Sequence, residues 1–512
     1  SDIERIEVLE GASARVFGSS AFNGAINIVT RPDRESCVRL SAEGGSFGSF
    51  GGDFGVSLFT GSVSQKLSGG YTQSDGGTKN SDFKRRRAYY TGSYTSRYAD
   101  LVWQAGLSSQ DYGASTFYSA KFDNQWEATR RIITSAQADI KPFGDERLVI
   151  TPQAYWHRDV DHYQLTRGKE GAKNGENYHR TDVYGASLNA HATWLLGKTA
   201  VGMDIRKEHI LSTAYGDLLP ENEWKDIHGT DRRYDHRGDR TNTSLFLEHN
   251  VILGGFTLSA GVLANRNTGL DGDFRFYPGV DLSYRPNEMW KFYASWNKAL
   301  RVPTYTDLYT SNSVQQGDTG LRPERTSTFK AGTRFRTRGV EAVVSGFYSK
   351  GNDIIDWVYE TEESRKYHAM NIGKLDNMGY SVDATLNMTE LLPGSFVTRI
   401  KAGYARIHQR HTTEQPVYRS LYALEYLRHK ATFQLDHRIW SRLSASWAVR
   451  WQERMNHYEP YTKVDCKLQW TAPTYSLYVK ADNITNHRYY DLGGVRQPGL
   501  WIMAGGSVKI GL

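Results

Sequence analysis

Aromatic and amide side chains are concentrated in one stretch of this chain, and together they could bind a bulky organic ligand. The stretch runs from Asp111 to Trp126 and includes Tyr112, Phe117 and Tyr118. Rings that could join them from elsewhere are Tyr305, Tyr309 and Trp357. Rings supply contact area at low entropic cost, and amides fix the orientation of a ligand. The alternative is that each ring belongs to a belt at an apolar–water boundary.

Acidic side chains crowd a second stretch, residues 212–240. Clustered carboxylates are the ligands that Ca²⁺ prefers, and the candidates here are Asp217, Asp226, Asp231 and Asp235. The spacing is not that of an EF-hand, and Arg232 and Arg233 compete for the same carboxylates. Two hypotheses therefore stay open, a structural calcium site and a solvated loop of mixed charge.

The sequence offers no pattern of residues for catalysis or for nucleic-acid recognition. It contains neither H-E-x-x-H nor C-x-x-C, and we expect no enzyme. The net charge is +7, but the basic residues are dispersed and no nucleic-acid motif is present. The charge fits an anionic lipid surface or an anionic ligand better.

Alternation with period two indicates the elements that must position these side chains. Leu443, Ala445 and Trp447 alternate with Ser444 and Ser446, and the pattern continues to residue 452. The same pattern occurs at 256–264, 290–297 and 475–480. About 22 such segments lie between Cys37 and Leu512, many longer than the ~9–11 residues of a membrane-crossing strand. No apolar run reaches the ~20 residues of a membrane helix.

Short and long connections alternate between these segments. Tight turns are predicted at 59–62, 97–100, 143–146, 254–255, 285–288 and 338–339. Long polar excursions are predicted at 108–127, 162–178, 212–240, 302–323, 356–376, 409–424 and 453–460. This asymmetry is typical of outer-membrane β-barrels, which have short periplasmic turns and long external loops.

Three parts of the chain resemble TonB-dependent outer-membrane transporters. The start, Ile3–Arg31, is similar to the closing segment of that family's plug domain. In the middle, Ala299–Tyr309 and Gly317–Glu324 resemble two successive barrel motifs of the family. At the end, Ala481–Tyr490 and Gln497–Trp501 resemble its last two strands.

The resemblance implies an all-β fold, an antiparallel transmembrane β-barrel of about 22 strands whose wide lumen needs a plug. Residues 1–35 are expected to be the C-terminal part of the plug domain, and residues 36–512 the barrel. The signal peptide, the TonB box and most of the plug are expected upstream of Ser1. The side chains predicted to make polar plug–barrel contacts are Arg5, Glu7, Glu10 and Arg15. Ordinary pairing within a small domain is the alternative.

The same resemblance implies active import across the outer membrane of a Gram-negative bacterium. TonB–ExbB–ExbD would supply energy from the proton motive force, and a surface lipoprotein and lipopolysaccharide are expected as further partners. The compact barrel implies cobalamin, haem or a ferric siderophore as the substrate. The segment 493–505 resembles the cobalamin-type receptors, so vitamin B12 is expected, with a ferric siderophore or haem as alternatives. Residues 302–324 contain no histidine, which disfavours haem. A passive porin or adhesin is the alternative from another class.

Overall fold

A computed structural model describes residues 3–10, 24–30, 35–118, 121–424, 426–455, 458–491 and 495–512. Its main body is a closed, antiparallel barrel of 22 long strands, which confirms the barrel part of the predicted fold. Barrel strands range from 8 to 19 residues in length. Among the described residues, no helix has the length and apolar character needed to cross a membrane.

The strands follow one another along the chain with little other secondary structure. In chain order they are β1 Ile3–Glu10, β2 Gly24–Thr30, β3 Cys37–Gly45, β4 Ser49–Thr60, β5 Val63–Ser74, β6 Phe83–Thr95, β7 Ala99–Ser115, β8 Gln125–Ile140, β9 Leu148–Gln164, β10 Glu176–Trp194, β11 Gly197–Ser212, β12 Asp217–Leu218, β13 Lys225–Asp226, β14 Arg233–Tyr234, β15 His236–Leu253, β16 Phe256–Asn267, β17 Arg275–Tyr284, β18 Trp290–Arg301, β19 Gln315–Gln316, β20 Glu324–Thr337, β21 Val340–Asn352, β22 Ile355–Tyr359, β23 Tyr367–Asn371, β24 Gly373–Asn387, β25 Val397–Thr413, β26 Arg419–Ser420, β27 Leu427–Arg438, β28 Leu443–Arg454, β29 Tyr461–Thr471, β30 Tyr475–Asp482, β31 Tyr490–Asp491, β32 Val495–Arg496 and β33 Trp501–Gly511. Two short helices, α1 Tyr305–Tyr309 and α2 Met388–Leu391, interrupt the series.

The first and last barrel strands pair and close the barrel. The β3–β33 register runs from Cys37 opposite Gly511 to Gly45 opposite Met503. β1 and β2 pair with each other in a separate two-stranded antiparallel sheet that shares no strand with the barrel. The assignment of residues 1–35 to a plug domain stays a prediction.

Large apolar side chains alternate with polar ones around the outer wall. Exposed examples are Leu188, Val201, Met203, Ile205, Leu245, Leu247, Phe256, Leu258, Leu282, Phe292, Leu468, Leu477 and Val479. Because water would penalise so many exposed apolar groups, lipid is the solvent that explains them. The period-two pattern of the sequence is the direct cause of this belt.

All six predicted tight turns lie between consecutive barrel strands, at one end of the barrel. The predicted long excursions lie at the opposite end, which we call the loop end. Several strands run further toward the loop end than the sequence predicted: β7 ends at Ser115 and β8 begins at Gln125. Above the lipid both faces of a strand can be polar, so the alternation that reveals a strand is lost there.

Three loops at the loop end are joined by a small sheet with the order β19-β23-β22-β26. Its strands come from the segments 302–323, 353–372 and 414–424, and we call it the loop sheet. Val358 and Ile372 lie in an apolar cluster beneath it with exposures of 0% and 1%. The same cluster contains Leu263 and Leu300 of the barrel wall, so these loops are folded elements that pack against the barrel.

Candidate functional site

A polar cavity of about 230 Å³ lies at the loop end of the barrel. Its lining comes from the barrel wall, from the connection between β7 and β8, and from the loops 213–235 and 302–323: Tyr118, Gln125, Glu127, Asp161, Tyr163, Asn177, His179, Ala214, Tyr215, Thr306, Thr310, Ser311, Asn312, Val314 and Gln315. Most of these side chains can donate or accept hydrogen bonds, and four carry aromatic rings.

Two carboxyl groups lie in the wall of this cavity. Glu127, on β8, accepts hydrogen bonds from the hydroxyl groups of Tyr112 and Tyr118 and is 7% exposed. Asp161, on β9, hydrogen bonds to Glu127. In both strands the residues of odd number face the lumen, so the register of β8 against β9 brings these groups together.

Gln125 holds the upper part of the same wall in place. Its amide nitrogen donates to the backbone oxygens of Ser115 and Phe122 at 3.1 and 2.8 Å. Its amide oxygen accepts from the hydroxyl of Tyr163 at 2.7 Å. The ring of Tyr163 meets the ring of Tyr118 edge to face, with centroids 5.3 Å apart. The rings lining the cavity are thus fixed in orientation.

The opposite side of the cavity is built by loop residues. The ring of Tyr215 stacks on His179 at 4.2 Å, and its hydroxyl lies 3.1 Å from the hydroxyl of Thr310. Burial raises the pKa of Tyr215 above its usual range. Burial, together with Glu127, does the same for the pKa of Tyr118. Both phenols therefore stay protonated and act as donors near neutral pH.

A network of charged side chains anchors helix α1 at the edge of the cavity. Arg301, the last residue of β18, forms two hydrogen bonds of 2.6 and 2.8 Å to Glu324 and one of 3.3 Å to Asp307. Thr304 and Asp307 form a capping box at the start of the helix. The two mid-barrel motifs of the sequence therefore have a structural role, because they fix α1 against the barrel.

Tyr305 and Tyr309 lie on α1 with ring centroids 6.2 Å apart. The guanidinium of Arg240 lies 4.6 Å above the ring of Tyr305. Burial raises the pKa of Tyr305 to about 12. Thr306, which lies between Tyr305 and Tyr309 in the sequence, lines the cavity.

The structure brings together some of the predicted ligand-binding residues and separates others. Tyr118 lines the cavity, and Tyr112 contacts its Glu127. Phe117 packs on Tyr118 and is 56% exposed. Trp126 follows Gln125 on β8 and so faces the outer wall, where it meets His162 at 5.2 Å. Trp357 is 5% exposed, inside an apolar cluster of the loop sheet.

Several cavity residues were not singled out from the sequence. They are Gln125, Glu127, Asp161, Tyr163, His179, Tyr215, Thr306 and Thr310. The signal that could have found the wall residues is register, because the odd-numbered positions of β8, β9 and β10 share one face.

The acidic loop 213–235 is held by ion pairs. Asp226 pairs with Arg233 at 3.0 Å, and Arg232 with Glu176 of the barrel wall at 3.1 Å; Asp235 forms a hydrogen bond of 2.7 Å with His236. Within the described ranges, no three His, Cys, Asp or Glu side chains converge on a metal position. The calcium site at Asp217, Asp226, Asp231 and Asp235 stays a prediction, which a calorimetric titration with CaCl₂ would test.

Three of the predicted plug–barrel contact residues, Arg5, Glu7 and Glu10, belong to β1. Arg5 bonds to Glu7 at 2.7 Å, and Asn27 donates to Glu7 at 2.9 Å. Arg15 and the side chain of Glu10 lie outside the described residues. The plug–barrel role of this group stays a prediction.

Comparisons with known proteins agree on one architecture. A family model for the β-barrel of TonB-dependent receptor-like proteins matches residues 38–484. The chain is 22% identical over 414 residues to the vitamin B12 transporter BtuB of Photobacterium profundum, covering 75% of this chain and 60% of that protein. The chain therefore spans about 60% of the length of this curated relative.

Solved structures of the same architecture superpose over almost the whole chain. The FrpB iron transporter of Neisseria meningitidis gives a TM-score of 0.80 at 16% identity, covering 99% of this chain and 87% of that one. A variant of the ferric enterobactin receptor of Pseudomonas aeruginosa gives 0.78 at 16%, with coverages of 99% and 86%. The family match and the closed barrel of 22 strands together establish that this chain belongs to the TonB-dependent receptors of the Gram-negative outer membrane.

Proposed function

We propose that this protein imports vitamin B12 across the outer membrane, using the proton motive force through TonB–ExbB–ExbD. The observation that carries the proposal is the polar cavity at the loop end, where tyrosine hydroxyls and the carboxyl groups of Glu127 and Asp161 converge. The loop end of a barrel of this family faces the medium, so a ligand meets this cavity first.

The size of the cavity limits what it can hold. Its volume of about 230 Å³ is below the ~300–1,000 Å³ of a pocket that encloses a whole small ligand. We therefore infer that one side group of a corrin enters the cavity. The rest of the ligand would lie against helix α1 and the exposed ring of Phe117.

The charge of the cavity favours a neutral, amide-rich ligand. Glu127 is almost fully buried, and an anionic chelate placed beside it would be repelled in a medium of low dielectric constant. Amide groups can donate to carboxylates and accept from phenols, which is the mixture that this wall offers. The sequence relative that is a vitamin B12 transporter supports the same choice.

A ferric siderophore is the second candidate. The structural neighbours include an iron transporter and a ferric enterobactin receptor, which favours it. The buried carboxyl group of Glu127 would restrict such a ligand to neutral or cationic ferric chelates. Haem is disfavoured, since His179 is stacked on Tyr215 and bonded to Ser212 at 2.8 Å.

Equilibrium binding to the detergent-solubilised protein tests the proposal. The ligands are cyanocobalamin, haemin, one catecholate and one cationic ferric siderophore. We expect submicromolar affinity for cyanocobalamin alone, reduced about tenfold by Asp161→Asn, a loss typical of one buried polar contact. Trp126→Phe, a change on the outer wall, is the matched control and should leave affinity unchanged.

Binding of cyanocobalamin weaker than micromolar would exclude vitamin B12. Tight binding of the cationic chelate in its place would support the second candidate. An equal loss of affinity in Asp161→Asn and Trp126→Phe would mean that the cavity is not the binding site.

A further inference from the structure

The two carboxyl groups in the wall of the polar cavity share one proton. Thr129, two residues after Glu127 on β8, pairs with Asp161 on β9, so the two carboxyl groups are diagonal neighbours on the lumen face. They are hydrogen bonded to each other. An ionised carboxylate can only accept hydrogen bonds, so a bond between two carboxyl groups requires that one of them is protonated.

The proton of this pair belongs to Asp161. The Oε2 atom of Glu127 accepts hydrogen bonds from the hydroxyls of Tyr112 and Tyr118. Donors of this kind stabilise the ionised form of a carboxyl group. The hydrogen-bond partner of Asp161 is Glu127 itself. Glu127 is therefore the anion of the pair, and Asp161 donates to it.

No basic side chain of the cavity offsets the charge of Glu127. The described residues that line the cavity include neither lysine nor arginine. On the same lumen face, the guanidinium of Arg131 is bonded to Asp159. The ring of His179, on β10, is stacked on Tyr215. The wall therefore presents one anion to a ligand, together with the carbonyl oxygen of a protonated acid.

The loop side of the cavity offers hydrogen-bond donors. The hydroxyl of Tyr215 lies 3.1 Å from that of Thr310. Asn312 and Gln315, from the segment 302–323, line the cavity and carry amide groups. A ligand group that enters from the mouth thus meets acceptors on the barrel wall and donors on the side of the loops.

We propose that this cavity binds one primary carboxamide of the ligand, with its nitrogen toward Glu127, and rejects the corresponding carboxylate. The amide N–H groups donate to Glu127 and to the carbonyl oxygen of Asp161, and the amide oxygen accepts from the loop side. A carboxylate in this place would set a second negative charge against a buried one. Glu127 thus determines specificity, and the proton on Asp161 keeps the pair at a single charge.

This inference rests on the proposed function and extends it. A corrin carries several carboxamide side groups, and hydrolysis of one of them gives a monocarboxylic acid of nearly the same shape. The cavity would distinguish a complete corrin from a hydrolysed one, a distinction that amide-rich character alone does not make.

Equilibrium binding of cyanocobalamin and of its monocarboxylic acids to the full-length protein in detergent tests the inference. Glu127→Gln with Asp161→Asn neutralises the pair and keeps its shape. Glu248→Gln with Asp281→Asn, on β15 and β17, is the matched control, because it changes the same two residue types on the lumen face away from the cavity. Heat-modifiable migration on SDS gels confirms that each variant is folded.

We expect the unmodified protein and the control variant to bind at least one monocarboxylic acid about a hundredfold more weakly than cyanocobalamin, because like charges brought together repel strongly. The cavity variant should bind that acid and cyanocobalamin almost alike. If cyanocobalamin and all the acids bound the unmodified protein alike, this inference alone would be overturned. Weak binding of cyanocobalamin itself would overturn the proposed function and, with it, this inference.

Infrared spectroscopy of the ligand-free protein tests the shared proton separately. The difference spectrum between the unmodified protein and Asp161→Asn at neutral pH should contain the carbonyl band of one carboxylic acid. A difference spectrum that contains only carboxylate bands would show that Asp161 is ionised, which would overturn the inference whatever the ligand.

Discussion

At the scale of single residues, Asp356 is a buried carboxyl group that holds the loop sheet together. It accepts hydrogen bonds from the hydroxyl of Ser420 and from the backbone amides of Trp357, Tyr422 and Ala423, at 2.8, 3.2 and 3.0 Å for the amides. Its exposure is 1%, and burial raises its pKa to about 6. One titrating side chain thus links two loops.

The stability of the loop sheet should therefore fall as the pH rises. The pKa of Asp356 in the folded protein is above the 3.8 of an unfolded aspartate. The stability that this group contributes is present below pH 3.8 and is lost as the pH rises through about 6. The full difference is roughly 3 kcal/mol. Hydrogen exchange of the Tyr422 and Ala423 amides, corrected for the intrinsic rate, should accelerate between about pH 4 and 6.

Asp356→Asn is the control for this prediction. An amide side chain has one acceptor oxygen for several donors, so protection should be lower throughout but independent of pH. The same pH dependence in the variant would assign the effect to another group.

The rings predicted from the sequence lie on both faces of the barrel wall, and whether any of them binds a ligand stays a prediction. Tyr118 was predicted and lines the cavity. Trp126 was predicted too, but Gln125 and Glu127 beside it are the residues that face inward. The sequence reveals that faces alternate, but in a polar stretch it does not reveal which face is inside.

At the scale of elements, closure of the barrel depends on the close approach of β3 to β33 at Gly45. A Cβ built there would lie 2.0 Å from the backbone oxygen of Ile502, on β33. At Gly44 the nearest atom would be 3.5 Å away, an ordinary contact. We expect Gly45→Ala to reduce the fraction of barrel that resists SDS at room temperature, and Gly44→Ala to leave it unchanged. Similar loss in both variants would contradict a role for this contact.

The stability of helix α1 should depend on the ion pairs of Arg301. Glu324 is 4% exposed, and Arg301→Ala would leave this charge buried without its partner, at a local cost of about 3–5 kcal/mol. We expect faster hydrogen exchange in residues 305–310 and weaker ligand binding. Arg336→Ala, on the next strand but far from α1, is a control that should change neither.

The strands could be predicted from the sequence, and the loops only in part. Alternation correctly placed β16, β18, β28 and β30, and the excursion 302–323 matches the structure. The loop sheet was not predicted, because β19, β22, β23 and β26 are short and come from three separate segments. Trp357 was proposed to bind the ligand because of its aromatic ring, and the structure places it in the apolar cluster of that sheet.

At the scale of the whole molecule, uptake should require both the barrel and its energy source. In cells that lack their own vitamin B12 transporter, the full-length protein should restore uptake of labelled cyanocobalamin. A protonophore or deletion of TonB should abolish uptake while surface binding persists, because binding needs only the loop end. Uptake that continues without TonB would indicate a passive pore.

The loop sheet also restricts how specificity can be exchanged between relatives. Backbone pairing joins Gln315 to Tyr367 and Val358 to Ser420, so each of the three loops completes the fold of another. A chimera that received one foreign loop would leave these partners without their hydrogen bonds. Grafting would succeed only if the segments 302–323, 353–372 and 414–424 were transplanted as one set.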